Sequence, residues 1–217
     1  MPDISLLARM TPDDVRNAIS GFRREYVRDW QGWQKIYQHH AAHPPDGHSI
    51  VQLGRILRKW QATRPLPMRR PRIEALHEPP YLDDLVTQAW PHVRVISELS
   101  VRQLDTATPD QTHALAELWD VFRNMTSRGH ATCVGITKAV LLLTEGRIGP
   151  ALDSTVRRKL GIRQPHESST WIRYLRRVSR DITSFETLHA VNIEMLIPPE
   201  WASIHVGRVY DMVAGPR

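Results

Sequence analysis

Apolar positions recur at three- and four-residue steps along most of the chain, which is the period of amphipathic helices rather than strands. Thr11-Pro12-Asp13-Asp14 has the chemistry of a helix start: a hydroxyl cap, a proline in the first turn and acids at the positive helix end. From there Val15, Ile19, Phe22, Tyr26, Trp30 and Trp33 form one stripe, which predicts a single long helix facing a core. Stacking on nucleic-acid bases is the competing use of Trp30 and Trp33, but their spacing favours the core. Pro44-Pro45-Asp46-Gly47 is a turn signal, and a second helix is expected over Ser49 to Gln61.

Arg64-Pro65-Leu66-Pro67-Met68-Arg69-Arg70-Pro71-Arg72 has too many prolines for a helix and reads as an exposed basic loop. Tyr81 to Leu104 reads as helical with Pro91 as a break point, although Val93, Val95, Leu99 and Val101 also alternate as in a strand. Thr108-Pro109-Asp110 repeats the capped start, with Leu115, Leu118, Trp119 and Phe122 inward. Past Asp153 a helix runs to Leu160 and stops at Gly161. Ser169 to Leu188 is the next helix, with Trp171, Tyr174, Leu175, Val178, Ile182 and Phe185 on one face and Arg173, Arg176, Arg177 and Arg180 on the other. A final helical segment spans Trp201 to Val213. The expectation is a mainly α, multi-helix bundle of roughly eight to ten helices.

At 217 residues the chain is long enough for one large core or two small lobes. It divides into an N-terminal helical region over 1–105, a central segment over 106–165 and C-terminal helices over 166–217. The longest uninterrupted apolar run, Ala139 to Leu143, is far short of a membrane span, and no apolar signal core opens the chain, so cytoplasmic residence is expected. Cys133 is the only cysteine, which excludes an intrachain disulfide and any Cys-rich metal or iron–sulfur site. His39, His40, His43 and His48 are spaced like metal ligands but lack an HExxH-type carboxylate pattern, so neither a metal nor a cofactor is expected. The net charge of +6 is carried mostly by arginine, whose forked guanidinium suits phosphate oxygens. A GC-rich coding sequence would enrich arginine equally well.

The densest chemistry lies in Cys133-Val134-Gly135-Ile136-Thr137-Lys138-Ala139 and in Gly149-Pro150-Ala151-Leu152-Asp153-Ser154-Thr155-Val156-Arg157-Arg158. A glycine opens an apolar helix, a Gly/Pro turn follows it, and one carboxylate precedes a pair of arginines. This order resembles the helix-hairpin-helix DNA glycosylases, in a divergent form without the iron–sulfur cluster. Gly135 takes the place of the hairpin glycine, Ala139 the alanine four residues later, and Asp153 the aspartate after the second helix. Cys133 stands where that family carries a further glycine.

The resemblance implies a glycosylase-like fold with a helix-hairpin-helix element, and DNA as the partner through its phosphate backbone and a flipped base. Nothing in the sequence implies a membrane or names a protein partner. Gly135, Thr137, Lys138, Arg147, Arg157 and Arg158 are the implied DNA contacts, with free N–H groups at the helix start receiving a phosphate. Asp153 is the implied catalytic carboxylate, which stabilises a cationic sugar or activates water. It is equally suited to cap the helix behind it. Bifunctional members place a lysine two residues after the hairpin glycine, to attack the sugar and form a Schiff base. That place is Thr137 here, and Lys138 becomes the nucleophile only if the hairpin register shifts by one. The implied function is hydrolysis of the N-glycosidic bond of a damaged or modified base. The alternative is a catalytically inactive DNA-binding or regulatory module on the same scaffold.

Overall fold

The structure, a computed structural model, describes residues 5–37, 43–74, 79–201 and 204–215, the side chain at position 200 excepted. Among these residues the chain is helical, and its only β feature is a single antiparallel bridge between Met68 and Thr126. The strand-like alternation around Val93 to Val101 is therefore corrected. That stretch is the end of one helix followed by a 3-10 turn over Val101–Thr106.

Helix α1, Pro12–Ser20, starts as its sequence dictates: the Thr11 hydroxyl accepts from the Asp14 N–H at 3.2 Å, and the Asp14 carboxylate accepts from the Thr11 N–H at 2.9 Å. It stops at Gly21, so the expected single helix is two. Helix α2, Arg24–Tyr37, continues the apolar stripe after a short turn. Both tryptophans of that stripe are fully buried. Trp33 Nε1 donates to the Leu142 carbonyl at 2.8 Å and the Tyr37 hydroxyl to the Leu143 carbonyl at 2.6 Å, which satisfies carbonyls that a helix end leaves open.

Helix α3, Gly47–Lys59, is capped by Asp46, and α4, Leu82–Val95, carries Pro91 inside it. Helix α5, Pro109–Arg123, packs on α4 and on α6, Cys133–Leu143. Short α7, Ser154–Lys159, precedes α8, Ser168–His189, and α9, Val206–Ala214. Burying a large apolar side chain stabilises by about 1.5–3 kcal/mol, and α6 and α9 are apolar nearly all round because other helices surround them. On α8, Arg177 is buried rather than presented with Arg173 and Arg180.

Two loops are held by contacts that the sequence does not announce. The Arg/Pro segment is the exposed basic loop expected, and it is zipped to the α5–α6 connection. Arg69 N donates to Met125 O and Ser127 N to Pro67 O, both at 2.9 Å, while the Arg69 side chain reaches Asn124 O at 2.9 Å and Pro80 O at 3.0 Å. Arg72 stacks over Tyr81 and pairs with Asp83 and Asp84 while remaining exposed, as Arg64 and Arg70 are. The second is the contact between the 146–149 turn and the start of α9. Arg208 N donates to Gly146 O at 2.8 Å, and a Cβ on Gly207 would lie 2.6 Å from Gly146 O, 2.7 Å from Gly149 N and 2.8 Å from Arg147 O. Only glycine admits three backbone atoms that close.

Gly32 is the opposite case. It is exposed inside α2 with no atom within 4 Å of an added Cβ. Gly32→Ala is expected to stabilise by about 0.5–1 kcal/mol through helix propensity, raising the melting temperature by roughly 1–4 °C in a thermal scan. An unchanged or lower melting temperature would contradict the placement of Gly32 on an open helix surface.

Candidate active site

Helix α6 docks on the turn that follows α3. Gly135 makes this possible: a Cβ there would lie 2.7 Å from the Ala62 carbonyl oxygen and 3.0 Å from Met125 Cε. It faces protein and not solvent, so its role in the fold is close approach of backbones. One turn on, Thr137 is buried, its hydroxyl donating to Cys133 O at 2.7 Å and accepting from Leu152 N at 2.8 Å. Both sides of that hydroxyl are occupied internally, which leaves none for a DNA phosphate. Lys138, next on the helix, leaves the core, and its Nζ donates to the Trp60 carbonyl.

Asp153 caps α7 by accepting from Val156 N at 2.9 Å through Oδ1. Its Oδ2 makes no hydrogen bond among the described residues. Asp153 and Lys138 line one cavity, with Phe22, Tyr26 and Trp60 as aromatic walls and Ala151, Arg208 and Asp211 behind. The cavity is narrow, about 40 Å³, room for a water or two. Phe22 and Trp60 are buried, whereas Tyr26 is half-buried and stands edge-on to Trp60 at 5.7 Å.

Burial pushes the Lys138 amine below the ordinary lysine range. The Asp153 and Asp211 charges oppose that shift, and Arg208 adds to it. Burial raises the Asp211 carboxyl, against the pull of Arg208. Behind the cavity, the Cys133 thiol is also raised by burial, with Arg157 opposing.

The other residues expected at a DNA face are placed unevenly. Arg147 donates to the Ser97 carbonyl, and Arg157 donates to Leu152 O at 2.7 Å beside the Cys133 sulfur. Each is used in holding a turn. Arg158 stands exposed. A separate hollow at the start of α6 is lined by Trp119, Arg123, His130, Cys133 and His166. His39 and His40 lie outside the described residues. Among the described residues no group of His, Cys, Asp and Glu is arranged to hold a metal ion, and no helix is long and apolar enough to cross a membrane.

Glycine-anchored counting puts Thr137 in the lysine's place; Thr137 is buried, and Lys138, the residue reached by a one-residue shift of register, lines the cavity. Counting also missed Phe22, Tyr26, Trp60, Arg208 and Asp211. The available signal was the Arg208-x-x-Asp211 pair inside the otherwise apolar run Val206 to Ala214, since charges in such a run are paired or functional. Comparison of the chain with protein-family models, with curated proteins and with solved structures gives no match.

Proposed function

We propose that this chain is a base-excising DNA enzyme of the helix-hairpin-helix glycosylase type, acting on the sugar of a flipped nucleotide through Lys138 and Asp153. The observation that carries the reading is the meeting of these two side chains at one aromatic-walled cavity. Burial lowers the Lys138 pKa, which favours the neutral amine, the form that acts as a nucleophile. Its hydrogen bond to Trp60 O uses one N–H and leaves the lone pair free. That lone pair attacks C1′ of the deoxyribose, and the bond from C1′ to the base breaks. The base departs with the bonding electrons and takes up a proton, while the amine gives one up. Opening of the sugar ring, with a proton taken by the ring oxygen, then yields the Schiff base. The Asp153 carboxylate stabilises the positive charge that develops on the sugar. The cavity at rest is too narrow for a nucleotide, so the reaction requires its walls to part, and half-buried Tyr26 is the most exposed of the aromatic walls.

The test uses duplexes carrying single modified bases, treated with protein and then alkali to reveal abasic sites. Asn caps a helix as well as Asp does, so Asp153→Asn is expected to keep the fold and DNA affinity but lose excision by about a hundredfold or more. Full excision by Asp153→Asn would reduce that residue to a helix cap.

Binding itself should be electrostatic, through exposed arginines such as Arg64, Arg70 and Arg158. Duplex affinity is expected to fall at least roughly tenfold between about 50 and 200 mM salt as counterions are released. Titration by fluorescence anisotropy checks this, and absence of binding at the lower salt would remove the nucleic-acid reading.

A further inference from the structure

We infer that the buried Arg208–Asp211 pair on α9 is the positioning device of the site, holding the 151–153 arm so that Asp153 is aimed into the cavity. This rests on the reading of Asp153 as the acting carboxylate. Both oxygens of Asp211 are already used: Oδ1 accepts from Ala151 N at 3.0 Å, and Oδ2 accepts from Arg208 Nη1. Asp211 is therefore not free to touch a substrate, but it grips the backbone two residues before Asp153. The next residue is gripped twice more, Leu152 N by the Thr137 hydroxyl at 2.8 Å and Leu152 O by Arg157 at 2.7 Å. Side chains from α6, α7 and α9 thus converge on one short stretch of backbone, which ends in the carboxylate.

Arg208 explains why the grip is ionic. Its guanidinium carbon lies 5.0, 5.1 and 5.2 Å from the ring centroids of Phe22, Trp30 and Trp60. Its Nε and Nη2 are buried with no hydrogen-bond partner among the described residues. Unpartnered buried donors are costly, and a buried ion pair adds little over well-packed apolar side chains. Packing alone would be served as well by a hydrocarbon. What the cation adds is a fixed charge that keeps Asp211 an acceptor for Ala151 N–H. Because Phe22 and Trp60 also wall the cavity, the same guanidinium joins that wall to the arm bearing Asp153.

The experiment uses the full chain and a duplex with one abasic site, whose C1′ aldehyde condenses with Lys138, losing water, to the same cationic imine that the Asp153 charge would stabilise. Loss of a C2′ proton then expels the 3′ phosphate, which is read as strand cleavage. Asp211→Asn is expected to lower kcat at least tenfold while KM and duplex affinity stay within twofold. The paired replacement Arg208→Met with Asp211→Leu removes the buried ion pair but leaves the Ala151 N–H without its acceptor, so its melting temperature is expected to stay within a few degrees of wild type while kcat is lost to the same extent. A merely structural pair would move the melting temperature and leave the kcat of the folded protein alone. Wild-type kcat in the folded paired variant, or failure of both variants to fold, overturns the positioning role. If wild-type protein cleaves no abasic duplex, the reading of the site itself falls. If wild type cleaves and the folded paired variant matches it, only the positioning role falls.

Discussion

A Lys138→Ala protein mixed with an abasic duplex and borohydride should give no trapped covalent adduct, whereas wild type should give one. Strand cleavage should fall by roughly a thousandfold, as when a covalent nucleophile is removed from a site that still binds. Duplex affinity should change little, because Lys138 lies in the cavity and not on the exposed arginine surface. In wild type the trapping rate should rise with pH as the amine loses its proton, and level off below the ordinary lysine value of about 10.4, since burial holds the Lys138 pKa down. The sign is fixed by the chemistry: the neutral amine attacks, and its fraction grows as pH passes the lowered pKa. An adduct that persists in Lys138→Ala would assign the nucleophile to another residue. A wild type that forms no adduct but excises a base would restore the hydrolytic reaction that glycine-anchored counting implies.

Gly207→Ala should be strongly destabilising. The new Cβ would sit 2.6–2.8 Å from three backbone atoms of the 146–149 turn, which have no rotamer by which to retreat. Overpacking of this kind costs about 3 kcal/mol at the upper end of the usual range. For a chain of this size that lowers the melting temperature by roughly 6–12 °C. Calorimetry on Gly207→Ala beside Gly32→Ala makes the contrast internal, since one added methyl has nowhere to go and the other meets nothing. Equal melting temperatures for the two would show that α9 does not press on the turn.

What could be read from the sequence was local. Thr11 and Thr108 announce their helices because a cap needs only neighbours three residues away, and both caps form. Asp153 was legible as a cap for the same reason. The break at Gly21 was hidden, since the apolar stripe continues in phase across it. The Arg/Pro loop is legible as exposed and non-helical, but its anchoring is not, because its partners, Asn124 O and Pro80 O, come from remote backbone that carries no side-chain signature. The choice between Thr137 and Lys138 depended on which face of α6 meets the turn at 60–62. Long-range docking settles that, not spacing. Arg208 and Asp211 were passed over inside an apolar run whose burial was visible but whose neighbours were not.

Lys138 is tethered to a peptide carbonyl, that of Trp60, and not to another side chain. No substitution at position 60 can delete that acceptor, so the indole can be exchanged for a smaller wall while the amine keeps its anchor. The shape of the cavity and the aim of its nucleophile are therefore separately adjustable. Under the proposed reaction, the range of bases accepted would be altered by changing residue 60 or Tyr26 without rebuilding the reactive group.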